Sequence, residues 1–381
     1  MQLNLGQSAE EFLRIYWQKK SLLVRQALPN FQSSITPAEL AGLACEAGVE
    51  ARIIQGHGKR FSLAQGPFTE STFRNLPEKN WTLLVQSVDQ WDQEVAALLQ
   101  HFSFLPRWRI EDIMISYAVT GGSVGAHVDQ YDVFLLQASG KRRWTIDAGE
   151  KNGAERRYIV SSQVKLLQHF EATESFDLLP GDMLYLPPGV GHHGVALDND
   201  CMTFSVGLRA PSLTEMLMDF DAERAEILPD SLRYADPDLQ PRQDPNAITL
   251  SDISRARDLM RQALALDTDE FTNWFGRFAT RYRTAVLPQR RSKKAALIEA
   301  LSSAGKLSRL TPSPSAGSRW ACAANGLYVA GRHLAISEKV AAKLLSVGLG
   351  LDEITALPDL ARIELEKLYR SDALIISNAN L

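Results

Sequence analysis

Cysteine is scarce. Cys45, Cys201 and Cys322 are the only three in 381 residues, odd in number and far apart. That excludes a disulfide framework or a CxxC-type zinc site and suits a reducing compartment. Long apolar runs are missing too: no stretch approaches the roughly 18 apolar residues of a membrane-crossing helix. The opening MQLNLGQSAEEFLRIYWQKK has no basic region leading into an apolar one, so no secretory signal is expected. These readings together give a soluble cytoplasmic protein with no membrane partner. There is no internal repeat and no low-complexity tract. Strong charge of one sign is also lacking, and the net −4 argues against bulk nucleic-acid binding. Residues 287–381 alone are net positive, with 13 Lys and Arg against 8 Asp and Glu. This permits a DNA-binding regulator, but ISEKVAAKLLSVG carries only Lys339 and Lys343, too few for a recognition stripe.

What is present is an ordinary globular balance, 45% apolar and 23% charged, on a chain long enough for two or three domains. From about residue 40 to 210 the runs DIMISYAV, DVFLLQA, RRWTIDA, SFDLLP, DMLYLP and MTFSVGL are separated by Gly, Pro, Asn and Asp. Short strands at such spacing predict a sandwich or barrel, including the double-sheet jelly roll of cupins. A helix over roughly Ser8–Lys20 precedes them, with Phe12, Leu13, Tyr16 and Trp17 at helical spacing. After Pro211 the period becomes helical. SLTEMLMDFDAERAEIL opens on Ser212 with Glu215 three residues on, the signature of a capping box. A Pro- and Asp-rich linker leads to two more helices, LSDISRARDLMRQALAL and DEFTNWFGRFATRYRTAVL. Their Leu259, Met260, Leu264, Phe271, Trp274, Phe275 and Phe278 exceed what three helices bury among themselves, which predicts a homodimer. Pro288 and the run QRRSKK mark a further boundary. Beyond it come the helix SKKAALIEALSSAG, the hairpin RWACAANGLYVAG with Asn325-Gly326 as a type I′ turn signal, and a last helix, in the manner of a winged helix. The expected class is α+β, divided at 1–211, 212–286 and 287–381.

The chemistry concentrates in GGSVGAHVDQYDVFLLQASGKRRW and GDMLYLPPGVGHHG. In His127-x-Asp129 the i, i+2 spacing puts both side chains on one face of a strand. With a distant histidine they form the two-imidazole, one-carboxylate set that holds iron(II) on one side and leaves positions open for co-substrate and oxygen. The third member is His192 or His193; neighbouring strand residues face opposite ways, so only one of them enters a barrel. Within KRRW, Arg142 shares a face with Trp144, while Lys141 and Arg143 share the other and read as surface charges. An arginine aimed into an apolar barrel requires an anion, and its planar fork suits a carboxylate. A dicarboxylate such as 2-oxoglutarate supplies that anion while its keto-acid end chelates the metal. Ser116 and Ser205 on flanking strands are candidate helpers. Tyr131 and Asp132 follow the metal motif at the rim as candidate substrate contacts, and Gln137 is in register with Val133 and Leu135. His57, His101, His169 and His333 read as structural, and His169-x-Glu171 lies in a polar loop.

HVDQYDVFLLQASGKRRW, GDMLYLPPG, GHHGVALD and SVGLRAP, with the opening EEFLRIYWQKKSLLVRQALP, resemble the JmjC-type ribosomal oxygenases, in particular the bacterial, RoxA-type arginine hydroxylases. The resemblance implies a double-stranded β-helix followed by a helical dimerisation region and a winged-helix-like end. It also implies Fe(II) with 2-oxoglutarate as co-substrate, and a large-subunit ribosomal protein as substrate, with an arginine oxidised. It selects His192 over His193, making His127, Asp129 and His192 the iron ligands, Arg142 the 2-oxoglutarate clamp and Ser116 a weaker contact. His193 departs from the family's pattern, where an acidic residue is expected. The competing readings are a JmjC-type N-methyl-lysine demethylase and a non-catalytic cupin binding module.

Overall fold

The computed structural model describes residues 3–58, 60–147, 157–159, 164–241, 244, 246–265, 267–281, 295–313 and 319–378. The expected boundary at Pro288 and QRRSKK lies outside them. The chain falls into two compact units, Met1–Ala210 with Tyr282–Arg319 and Lys343–Leu381, and Pro211–Arg281 with Trp320–Ala342.

In the larger unit helix α1 (Ala9–Ile15) is capped by Ser8, whose hydroxyl accepts the Glu11 N–H, and buries Phe12. It is shorter than expected because the chain turns left-handed at Gln18. Strand β1 (Leu22–Val24), helix α2 (Pro37–Leu43), strands β2 (Ala51–His57) and β3 (Arg60–Gln65), helix α3 (Glu70–Arg74), strand β4 (Trp81–Val85) and helix α4 (Gln93–Ala97) follow. The site-bearing strands come next: β5 (Ile110–Ala118), β6 (His127–Val128), β7 (Val133–Ser139), β8 (Arg142–Asp147), β9 (Glu174–Leu178), β10 (Met183–Leu186), β11 (Gly191–Ala196) and β12 (Cys201–Leu208). They form two sheets, ordered β1-β10-β7-β12-β5-β4-β2-β3 and β6-β11-β8-β9. Every described pairing in the two sheets is antiparallel. This is the expected double-sheet jelly roll.

The core has two layers, and β7 shows why. Its run Val133-Phe134-Leu135-Leu136 is apolar at both parities because both of its faces are covered. Val133 and Leu135 pack with Trp144, Ile146, Leu184 and Leu186. Phe134 and Leu136 pack with Phe12, Leu40, Val95, Ile113 and Phe204 on the helix-covered side.

In the second unit α5 (Leu213–Ile227) opens on the Ser212/Glu215 capping box read from the sequence. Helices α6 (Leu250–Leu264) and α7 (Thr268–Thr280) are boxed in the same way by Thr249/Asp252 and Asp267/Glu270. Phe220 of α5 forms a core with Trp274 and Phe278 of α7; α6 has no buried residue. The hairpin and its third strand cover Trp320–Ala323, Gly326–Val329 and Arg332–Leu334. A Cβ on Gly276 of α7 would come within 2.5 Å of the Tyr328 ring, so glycine lets the strands sit close to the helix. The turn is not the expected type I′ at Asn325-Gly326. Ala323 pairs with Gly326, so Ala324-Asn325 make the turn, and neither is among the positive-φ residues that type I′ needs.

Candidate functional site

His127 and His192 face each other as a direct cross-strand pair between β6 and β11. Asp129 follows β6 on the same side, and its backbone carbonyl accepts the Gly189 N–H at 2.8 Å, fastening it to the Pro-Pro-Gly turn. The ligand-capable atoms of His127, Asp129 and His192 all lie within 4.8 Å of one another. Asp129 Oδ2 is 3.5 Å from His192 Nε2, and Oδ1 is 4.0 Å from His127 Nε2. Among the described residues this is the one cluster of its kind.

The imidazoles are oriented by backbone. His127 Nδ1–H donates to the Gly125 carbonyl and His192 Nδ1–H to the Val190 carbonyl, each at 3.0 Å. A carbonyl only accepts, so both Nδ1 atoms carry the proton and both Nε2 lone pairs point at the cluster. Gly125 turns at φ +81°, and a Cβ there would meet Leu166 at 2.2 Å. Burial, then the positive charge that His127 would carry, pushes His192 down to about 4, so at neutral pH it is an uncharged donor.

His193 faces the other way. Its ring packs edge-on to Phe170 at 6.1 Å and lines a separate pocket with His169 and Glu171.

The β8 alternation holds as expected. Arg142, Trp144 and Ile146 are buried and Arg143 is exposed. Lys141 and Arg143 both pair with Asp177, whose carboxyl is held down to about 2, chiefly by the Arg143 hydrogen bond. Arg142 is 4% exposed and sits 5.7 Å from the Trp144 ring centre. Its Nε and Nη2, like Trp144 Nε1, are buried without a hydrogen-bond partner. Unpaired buried donors of a cation are costly, and here they line the same cavity as the His–Asp–His cluster. That cavity, of about 300 Å³, is also lined by Ser116, Tyr131, Val133, Leu135 and Ser205. The Ser116 hydroxyl makes one long bond, donating to the Thr203 carbonyl at 3.5 Å. Gly194, opposite Trp144, has no room for a Cβ, which would lie 2.7 Å from the indole.

Asp132, expected at the rim, and Gln137, expected on the pocket face with Val133 and Leu135, both lie off the cavity. Asp132 is fully buried and does not line the cavity. It accepts hydrogen bonds from Tyr185 at 2.6 Å, Gln18 at 2.9 Å and Arg109 at 3.2 Å. Its parity is opposite to Val133, so it turns to the helix-covered layer. Gln137 is likewise structural: its amide nitrogen donates to the Ser139 carbonyl and its oxygen accepts from Thr203. Tyr131 is on the cavity side, and burial, then the Asp129 charge, raises its hydroxyl pKa.

Sequence reading missed the acidic end of the cavity, formed by Glu50, Glu111 and Asp112 with Gln86 and Ser87. The signal was available for Asp112, which shares strand parity with Met114 and Ser116 on β5. One Asp112 oxygen accepts from the Gln86 amide and from the Ser87 N–H and hydroxyl. Behind it Asp89, 2% exposed, accepts the Ile113 N–H at 2.8 Å. Burial and then the Asp112 charge push Asp89 up to about 7. An unfolded aspartate ionises near ~3.9, so the folded state holds the extra proton between roughly pH 4 and 7. Stability then falls as pH rises through that window and levels off above it. Asp89→Asn is therefore expected to melt higher than the wild type at pH 8 and equally at pH 4. Melting curves at the two pH values check this; an equal shift at both refutes it.

Comparison with known proteins agrees with this geometry. A JmjC domain profile matches residues 97–216. The Escherichia coli (strain K12) ribosomal protein uL16 3-hydroxylase is 38% identical over 283 residues, 74% of each chain. A probable ribosomal oxygenase of Haemophilus influenzae is 40% identical over 210 residues, 55% of this chain and 51% of that one. The crystal structure of E. coli YcfD superposes with a TM-score of 0.85 at 32% identity, covering 99% of this chain and 100% of that one. The same E. coli ribosomal oxygenase has been solved with cobalt and 2-oxoglutarate, and that structure superposes over the same shares of the two chains with a TM-score of 0.82. With this similarity along nearly its whole length, the chain belongs to the JmjC-domain ribosomal oxygenases.

Proposed function

We propose that this protein uses iron(II) and 2-oxoglutarate to hydroxylate an arginine side chain of a large-subunit ribosomal protein. The observation that carries the reading is the pairing, in one cavity, of a convergent His–Asp–His set with an arginine whose buried donors have no partner. His127, Asp129 and His192 hold the iron through Nε2, a carboxylate oxygen and Nε2. The Arg142 Nε–H and Nη2–H take the distal carboxylate of 2-oxoglutarate, with Trp144 Nε1–H and the Ser116 hydroxyl beside them. When bound, the metal and co-substrate activate dioxygen, releasing succinate and carbon dioxide and delivering one oxygen atom to a C–H bond. Val133, Leu135 and Trp144 keep the reacting end dry. Tyr131 borders the substrate entrance. Asp112, with one oxygen already committed to Gln86 and Ser87, takes the guanidinium, which favours a basic side chain over a neutral one.

Residues 1–211 are the catalytic part, acting in the cytoplasm; 212–286 form a homodimer and 287–381 are winged-helix-like. Exposed Leu213, Met218, Ile227, Leu250, Met260 and Phe271 on α5–α7 support the dimer. Light scattering that finds a single-chain mass at micromolar concentration removes that part.

The direct test is incubation of the iron-loaded protein with 2-oxoglutarate and recombinant uL16. A gain of one oxygen on an arginine is expected by tandem mass spectrometry. Formaldehyde release from a methyl-lysine peptide, with uL16 untouched, supports a demethylase instead.

A further inference from the structure

Arg319 is fully buried. It belongs to the same compact unit as β5 and reaches the second residue of that strand. Its Nη2 ion-pairs with Glu111 Oε1 and also donates to the Glu111 backbone carbonyl at 3.3 Å. Glu111 lines the cavity beside Asp112. Its other carboxylate oxygen, Oε2, is buried and has no hydrogen-bond partner. Three carboxylates, Glu50, Glu111 and Asp112, thus crowd one end of the cavity, and Arg319 grips one of them by both side chain and backbone.

A buried ion pair is a poor way to gain stability, since apolar side chains of the same volume serve as well or better. It is a good way to fix a carboxylate. The guanidinium fork takes one oxygen and leaves the other with a set direction. It also sets a positive charge beside a carboxylate that shares the cavity end with Asp112.

We infer that Arg319 is a positioning residue for recognition of a cationic substrate, holding Glu111 so that its unpartnered Oε2 meets the incoming side chain next to Asp112. The inference rests on the proposed hydroxylation of a basic side chain. Arg319 lies 190 positions beyond Asp129 and 127 beyond His192, outside the residues matched by the JmjC profile.

The test uses the full-length protein loaded with manganese(II) and 2-oxoglutarate under anaerobic conditions. Calorimetry compares an arginine-bearing uL16 peptide with its arginine-to-glutamine counterpart; aerobic assays with iron follow turnover. Arg319→Met is expected to weaken binding of the arginine peptide about tenfold or more. Binding of 2-oxoglutarate and its slow turnover without peptide should stay within about twofold. Arg319→Lys is expected to recover part of the loss. Glu111→Gln reports on the same contact should Arg319→Met not fold, and should lower the preference for arginine over glutamine. Unchanged peptide binding in Arg319→Met, or a loss matched by an equal loss of 2-oxoglutarate binding, overturns the inference. If the wild type binds the arginine peptide but never oxidises it, the hydroxylase reading fails while the Arg319 comparison still stands. If the wild type shows no preference for arginine over glutamine, the inference fails.

Discussion

Asp129→Ala is expected to lower succinate formation by more than about a hundredfold, because even groups that merely orient metal ligands cost about 10- to 100-fold when removed. Asp129 brings the only carboxylate in the cluster. Without it two imidazoles remain, one of them, His192, held uncharged at neutral pH by burial. Two such donors hold a hard divalent ion weakly and leave its charge unbalanced. Folding should survive. The Asp129 side chain is 21% exposed, and the bond from Gly189 N–H goes to its backbone carbonyl, which alanine keeps. The variant should therefore melt near the wild-type temperature yet lose the rise in melting temperature that manganese(II) gives the wild type. Retained metal-dependent stabilisation, or retained turnover, would remove Asp129 from the ligand set. His193→Ala is the control, since its ring points into a different pocket.

The second large effect is on Arg142, and its sign differs between free and loaded protein. A buried guanidinium with unpartnered Nε and Nη2 is a cost to the empty fold. Arg142→Met keeps an unbranched apolar stem against Trp144 and removes that cost, so the variant without ligands is expected to melt at or above the wild-type temperature. With 2-oxoglutarate the order reverses. Loss of charge-assisted hydrogen bonds worth about 1.5–3 kcal/mol each raises the KM for 2-oxoglutarate on the order of a hundredfold or more. Melting curves with and without 2-oxoglutarate, alongside the KM, read both halves. A variant that melts lower when empty and keeps its KM shows Arg142 to be merely structural.

Strand parity explains most of what could be read in advance. His127 and Asp129 two apart, and Arg142 and Trp144 two apart, put chemistry on one face of strands whose other face is fixed by Arg143 and Val128. The choice between His192 and His193 follows the same rule, but parity alone gives no sign of which face is inside; the register of β11 against β6 does, setting His192 opposite His127. Nearness in sequence to the metal motif does not carry Asp132 to the rim. It alternates with Val133 and so belongs to the other layer. The acidic end was missed for a different reason. Glu50, Gln86 and Asp112 come from separate segments, brought together by β2, β4 and β5 pairing over long separations. Composition carries no trace of that pairing. The two-residue turn at Ala324-Asn325 was displaced by one position because Gly326 serves the close approach of the backbone to Leu334, not the turn itself.

The sheet order has a bearing on what can be cut out and moved. The profile match begins at residue 97, yet the eight-stranded sheet runs β1 on one flank and β4-β2-β3 on the other, all encoded before that point. A fragment starting there would present two raw strand edges, one on β10 and one on β5, the kind of surface that invites strand addition and aggregation. It would also strip Asp132 of its Gln18 partner and Asp112 of Gln86 and Ser87. For anyone grafting this oxygenase onto a new targeting module, the smallest transplantable piece begins near the N-terminus and not at the conserved-domain boundary.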